Sequence, residues 1–396
     1  MRVIGMISGT SFDAVEAVLA DFSPRGATLD CGLVAHRSVE YPDDLRERIA
    51  GVLPPAATHI GEVCELDVAI GQFFGEVAHD LADEIGGQPV DLVCSHGQTV
   101  FHWVSGARAL GTLQLGQPAW IAARTGATVV SDVRSRDIAE GGHGAPLASV
   151  LDVLLLGPPA GTVRGALNLG GISNVTVLAY GREPVAFDIG PANALMDAVV
   201  SSFTSGRERF DAEGSRAARG LVDEPLLSSL LDEPYYLLEA PKSTGKELFN
   251  LDYVLAALAG REVETDDLVA TLGALTVETV ARALTNRNVT EVVAAGGGTR
   301  NPILMSQLRR RLAGVKFRPL EDFGVPEASK EALAFALIGY LTGCGIPASV
   351  PSCTGARRSS ILGSLTPGER PLPEDVGVKA PSHLEVHPAG PIETTP

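Results

Sequence analysis

The chain is poor in cysteine: five residues in 396, at Cys31, Cys64, Cys94, Cys344 and Cys353, widely spaced and with no CxxC pair. That excludes a disulfide framework and a cysteine-built zinc cluster, so these positions read as reduced, mostly buried small side chains. Positive charge is also scarce, with 31 Lys plus Arg against 48 Asp plus Glu and a net charge of −17. Such a surface repels nucleic acid and anionic membranes over most of the molecule, so any bound phosphate must be gripped locally. No stretch approaches the ~20 apolar residues that span a bilayer. Arg2 is followed by an apolar run that reaches Ser8 and Gly9 at once, too short for a secretory signal, and the expected location is the cytoplasm. Two nucleotide signatures are missing as well: GxxxxGK(S/T), which excludes a P-loop enzyme, and a GxGxxG after the first apolar run, which makes a dinucleotide oxidoreductase the weakest functional class.

What is present is a composition 45% hydrophobic and 20% charged, that of a folded globular protein long enough for two domains. Short apolar segments such as "VIGMI", "DLVCS", "ATVVSD", "GALNL" and "EVVAA" alternate with helical periodicity in "EVCELDVAIGQFFGEVAHDLADEIG" and "DDLVATLGALTVETVARALTNR". This alternation predicts an α/β fold with helices covering a mixed sheet. The N-terminal strand, turn, strand recurs at "RGALNLGGISNVTVLAY", which suggests a duplicated architecture. From Pro367 onward seven prolines and little apolar periodicity predict a disordered tail over 367–396.

A backbone that must approach a polyphosphate needs glycine, inward N–H groups and hydroxyls. Gly9, Thr10 and Ser11 offer these in the first hairpin, and Gly170, Gly171 and Ser173 in the second. Asp13 is a carboxylate suited to a divalent cation, directly or through water. In "VVAAGGGTRNPILM", Gly296, Gly297 and Gly298 would let an adenosine lie against a strand-to-helix turn. Each hairpin taken singly is also a common structural turn. In this order the three glycine elements resemble the sugar kinase, heat-shock chaperone and actin superfamily. That resemblance implies a two-lobed, actin-like ATPase fold of ribonuclease H-like lobes with an active-site cleft between them. The lobes are expected at residues 1–140 and 141–366, with a helix over 327–343 at their junction.

Asp188 in "AFDIGPANALMDAV" ends a short apolar segment before Gly190 and Pro191, placed either as a general base over a cleft or as the N-cap of the next helix. "VCSHGQTVFHW" gathers Ser95, His96, Gln98 and Thr99, donors suited to sugar hydroxyls, although a lone His in a turn is commonly structural. "SDVRSRDIAEGGHGAPLA" joins Arg134, Arg136 and Asp137 to a glycine loop, and one arginine there could pair with an anionic substrate group. Glu331, in "ASKEALAFALIGYL", sits near the first turn of an apolar helix.

Together "GMISGTSFDAVEA", "SHGQTVFH", "GTLQLGQPAWIAARTG", "LNLGGISNV", "FDIGPANALMDA", "PKSTGKELFN", "AAGGGTRNPILM", "KEALAFAL" and "TGARRSSILGSLTPG" resemble, in order, the anhydro-N-acetylmuramic acid kinases, from Val3 to about Pro367. The resemblance implies an enzyme of peptidoglycan recycling that uses ATP, Mg2+ and water. Such an enzyme opens the 1,6-anhydro bridge of 1,6-anhydro-N-acetylmuramic acid and yields N-acetylmuramic acid 6-phosphate and ADP. By the same resemblance Asp188 is the catalytic aspartate that activates water. The ATP-binding segment maps onto Gly9, Thr10, Ser11, Phe12, Asp13, Ala14, Val15 and Glu16. Sugar-binding positions map onto His96, Arg136 and Glu331, and a homodimer is implied.

Ala14, Glu16, Ile189, Ala192 and His143 depart from the family pattern. Ala14 would be strained if its position required a positive φ, and Glu16 shifts a charge by one methylene. Two rivals stand beside this expectation: a kinase of an intact amino sugar such as N-acetylglucosamine, and a non-catalytic ATP-gated binding module. The role of Lys242 in "PKSTGKE" is open.

Overall fold

The computed structural model describes residues 1–9, 12–84, 86, 88–105, 108–371 and 378–388. Among them, β1 (Arg2–Ser8), β2 (Ala14–Arg25), β3 (Thr28–Glu40), β4 (Leu92–Ser105), β5 (Arg108–Leu115) and β6 (Thr128–Ser131) come first. Then follow β7 (Val163–Leu169), β8 (Ile172–Ala179), β9 (Val185–Pro191), β10 (Glu291–Ala295) and β11 (Lys316–Pro319), and last β12 (Ser364–Thr366) and β13 (His383–Pro388). The chain divides into two compact units, Met1–Leu155 together with the chain from Phe323 onward, and Leu156–Asp322.

The first unit is built on a mixed sheet in the order β12-β6-β4-β1-β2-β3-β13, with β5 paired to β4. β1, β2 and β3 form an antiparallel meander, and β4 runs parallel to β1 and β6 parallel to β4. Val3, Ile4, Met6 and Ile7 are all buried, a continuous apolar run of the kind found where both faces of a sheet are covered. Ile4 and Met6 pack with Leu66, Ile70 and Phe74 of the helix Ile60–Glu84. On the alternate face the helix Lys330–Gly343, buried at nearly every position, lies so close that a Cβ on Gly5 would collide with the backbone of Ala332 and Ala336.

The second unit carries a five-stranded sheet in the order β11-β10-β7-β8-β9. Here β7, β8 and β9 are the antiparallel meander, with β10 parallel to β7 and β11 parallel to β10. The path repeats β6-β4-β1-β2-β3 strand for strand, so the duplication suggested by the two hairpins is real, and each unit has the ribonuclease H-like arrangement of actin-like ATPases. The helix Thr265–Asn286 is long and apolar enough to cross a membrane by length and composition, which the sequence reading did not anticipate, yet most of it is buried. Val277 and Val280 join the sheet core with Leu167, Val175 and Val292, while Leu268, Leu272 and Leu275 join a helical cluster around Val199, Leu226 and Phe249.

The compact division departs from the expected boundaries. Residues 141–155 and 323–366 belong to the first unit, because Lys330–Gly343 covers β1, β2 and β4 and β12 pairs with β6. A segment far along the chain thus completes the first core. The tail expectation also needs correcting for 383–388. β13 pairs in parallel with β3, burying Leu384 and Val386, because an i, i+2 apolar pair suffices to seat an edge strand despite the prolines around it.

Candidate active site

In the first unit the turn after β1 is tied to β4 by Gln98. Ser8 Oγ donates to Gln98 Oε1, and Gln98 Nε2 donates to Gly9 O at 3.4 Å. Phe12 N–H donates to the same carbonyl at 3.1 Å, and Phe12 takes the positive φ, 45°, that had been considered for Ala14. Ala14 instead opens β2 opposite Glu40 in extended conformation, so alanine is unstrained there. Val15 is buried in the core. Thr10 and Ser11 lie outside the described residues. Asp13 is exposed, and its carboxylate has no side-chain partner among the described residues. Glu16 is held on the sheet, with His36 Nε2 at 2.7 Å from one oxygen and Ser38 Oγ donating to the other at 2.6 Å.

A second feature of this unit is a packed charged cluster. His96 is buried on β4, and its Nε2 accepts from Arg134 Nε at 2.8 Å while its Nδ1 lies 3.0 Å from Gly97 O. Burial, helped by the neighbouring guanidinium, pushes His96 down to about 3, so the imidazole is neutral with its proton on Nδ1. Arg134 also donates from Nη1 to Gly144 O at 3.0 Å, and burial lowers it to about 10. Its Nη2 has no hydrogen bond among the described residues. Glu331, on the first turn of Lys330–Gly343, is solvent-accessible but crowded by protein, and its carboxyl is raised by desolvation, with Glu16 adding to the rise and Lys330 and Arg134 opposing it. The helix start beneath it is anchored by the buried pair Lys330–Asp152 at 2.9 Å. Arg136, the arginine expected at the sugar, is exposed and makes no side-chain hydrogen bond among the described residues; Arg134 is the one joined to His96. The two lie two residues apart at the start of a short helix, Ser135–Ala139, roughly half a turn, which points their side chains apart. Asp137 is structural: it accepts from Gly144 N and Thr354 Oγ1 and pins the glycine loop.

In the second unit the β7–β8 turn caps a helix. Gly170 O accepts from Asn193 N and Asn193 Nδ2, and Gly171 O from Ala192 N and Ala194 N, at the start of Asn193–Phe203. Neither glycine has a positive φ, and a Cβ on either would make only ordinary contacts, so the fold itself does not require glycine at these positions. Gly296 and Gly298 differ, since a Cβ on either would run into Leu169, whereas no atom of the described residues lies within 4 Å of a Cβ on Gly297. Of these five glycines Gly297 alone has open space beside it among the described residues, at a strand-to-helix turn of the kind that nucleotides approach.

Asp188 lies within β9 rather than at its end, and the helix cap is Ala192, so the N-cap alternative fails. Ser243 Oγ and Thr244 N donate to its Oδ2 at 2.9 and 3.0 Å. Burial pushes the carboxyl up to about 6, against the pull of those two donors. A carboxylate with that pKa and one oxygen without a hydrogen bond among the described residues is equipped to take a proton near neutral pH. Ile189 and Ala192, two departures from the family pattern, point into the core.

A family model for anhydro-N-acetylmuramic acid kinase matches residues 1–368. The anhydro-N-acetylmuramic acid kinase of Streptomyces coelicolor is 55% identical over 380 residues, covering 95% of this chain and 97% of the relative. The chain belongs to the anhydro-N-acetylmuramic acid kinase family. Within that family it is also similar to the kinase of Rhodococcus erythropolis, 52% identical with 98% and 99% coverage, and more distantly to that of Caldanaerobacter subterraneus, 35% identical with 92% and 96% coverage.

For this family member, sequence reasoning missed the residues that hold Asp188: Ser243, Thr244 and Tyr235 reach it from remote positions. Gln98 and Arg134, read from the sequence as donors for a substrate, are joined to Gly9 and His96. A signal for the first group existed only in "PKSTGKE", whose small polar residues mark a tight turn.

Proposed function

We propose that this chain is an ATP-dependent kinase of 1,6-anhydro-N-acetylmuramic acid in peptidoglycan recycling, acting in the cytoplasm where ATP is available. Asp188 takes a proton from water as the water oxygen bonds to the anomeric carbon. The bridge C–O bond breaks, and the bridge oxygen accepts the γ-phosphoryl group, giving N-acetylmuramic acid 6-phosphate and ADP. The observation that carries this reading is Asp188 itself: a carboxylate raised to about 6 with one oxygen held and the other without a hydrogen bond among the described residues, in a chain matched to this family over residues 1–368.

In this reading ATP lies beside Gly170 and Gly171, where a Cβ would make only ordinary contacts, and beside Gly297, where it would meet no described atom within 4 Å; Gly9 to Glu16 are further nucleotide-binding candidates. Mg2+ fits Asp13, an exposed hard-oxygen donor without a side-chain partner among the described residues, and when bound it would neutralise phosphate charge. His96 and Glu331 belong to the sugar side in this reading, with Arg134 in place of Arg136. The homodimer belongs to the same proposal, and light scattering of the purified protein tests it.

The deciding experiment is ADP release with ATP, magnesium and the anhydro-sugar, beside Asp188→Asn, a sugar-free control and N-acetylglucosamine. Turnover that needs the anhydro-sugar and vanishes in Asp188→Asn supports the reading. Equal turnover without sugar points to an ATP-gated module, and preference for the intact sugar to an ordinary sugar kinase.

A further inference from the structure

Asp188 is gripped by one short segment. Ser243 Oγ–H and Thr244 N–H both donate to Oδ2, at 2.9 and 3.0 Å, and no hydrogen bond reaches Oδ1 among the described residues. The backbone of Asp188 is fixed as well: its N–H donates to Lys242 O at 3.0 Å. Lys242 Nζ donates to Tyr235 O at 3.0 Å and lies over the Tyr235 ring, 4.5 Å from its centre. Tyr235 O–H donates back to Asp188 O at 2.8 Å. Three hydrogen bonds thus close a ring through Asp188, Lys242 and Tyr235.

We infer that residues 242–244 form an orienting strap that occupies Oδ2 and leaves Oδ1 as the oxygen that accepts the proton of the attacking water, with Ser243 and Lys242 as positioning residues. The inference rests on Asp188 being the base. Its physical content is twofold. A carboxylate free to rotate presents either oxygen at varying angles, whereas one held through two donors on a single oxygen is preorganised. Donors to the charged form also keep a desolvated carboxylate ionised near neutral pH. The charged and titratable groups facing Asp188 are Glu247, which raises its pKa, Lys242, which lowers it, and Tyr235, whose hydroxyl is engaged with the Asp188 backbone. Ser243 and the Thr244 amide are the two donors that oppose burial most strongly.

The test is the pH profile of kcat for the full chain at saturating ATP, magnesium and anhydro-sugar, for wild type, Ser243→Ala, Ser243→Thr, Lys242→Met and Asp188→Asn. Loss of one hydrogen bond to a charged group moves the acid limb up by about one pH unit in Ser243→Ala, lowering kcat about tenfold on the limb. Ser243→Thr restores the limb, and Lys242→Met lowers kcat without changing the KM for ATP. A correctly folded Ser243→Ala whose acid limb stays where wild type has it overturns the strap while an inactive Asp188→Asn keeps the base. An active Asp188→Asn overturns the base and the strap with it.

Discussion

Gly296→Ala and Gly297→Ala, two neighbouring exchanges, separate a glycine kept for the fold from one kept for a ligand. Gly296 sits at φ 93°, ψ 156°, a region that costs other residues roughly 1–3 kcal/mol. A Cβ there would also lie 2.8 Å from the carbonyl carbon of Leu169, so the backbone must shift. A total near 3 kcal/mol lowers Tm by about 6–12 °C for a unit of this size. Gly297 opens a 3₁₀ turn whose φ alanine adopts, with no atom of the described residues within 4 Å of the new methyl. Gly297→Ala should therefore melt as wild type does, or with up to about 1 kcal/mol more stability. ATP at about 100 times its Kd stabilises wild type by ~2.7 kcal/mol. Gly297→Ala is expected to lose most of that gain if ATP lies beside Gly297 as proposed, because the methyl would occupy that space. Differential scanning calorimetry with and without ATP and magnesium reads both effects. A full ATP-induced shift in Gly297→Ala refutes the nucleotide cradle, and a wild-type melt in Gly296→Ala refutes the backbone geometry around Leu169.

Three further outcomes follow from the same physics. Asp188 titrates near 6 when folded and near 3.9 unfolded, so the folded state binds more protons between those values and this group's contribution to stability falls as pH rises from about 4 to 6; Asp188→Asn should melt above wild type at pH 7.5 by a margin that shrinks toward about pH 4, read by thermal denaturation across pH. Arg134→Gln should raise the KM for the anhydro-sugar tenfold or more, the scale of a lost charged hydrogen bond, while Arg136→Gln leaves it unchanged; equal effects in steady-state kinetics would undo the choice between them. Truncation after Pro371 removes β13 with buried Leu384 and Val386, each worth about 1.5–3 kcal/mol, and should lower Tm by several degrees with kcat intact.

Legibility differed from residue to residue. The two hairpins announced the duplicated sheet because local apolar alternation and turn chemistry act over a few residues, and β1–β2 and β7–β8 pair as that pattern requires. Asp188 stood out as a carboxylate beside a turn, yet its strand continues to Pro191, because hydrogen bonding to β8 carries β9 past Gly190. Arg136 was named at the sugar by family resemblance alone; the contact of Arg134, two residues earlier, with the buried His96 is long-range and has no trace in the local motif. Ala14 raised a concern that vanished once Phe12 supplied the left-handed turn.

By itself the sequence determined the alternation of strands and helices, the acidic net charge of the chain, its α/β character and the residue types available for chemistry, because these depend on composition and short-range periodicity. Only the tertiary structure decided which unit owns the chain from Phe323 onward, that a tail rich in proline supplies the strand His383–Pro388 beside β3, and that Ser243 and Thr244 hold Asp188 across 55 and 56 residues of sequence. Those outcomes turn on long-range packing: Gly5 admits the helix Lys330–Gly343 because it lacks a Cβ, and Asp188 rises to about 6 because distant segments exclude water from it.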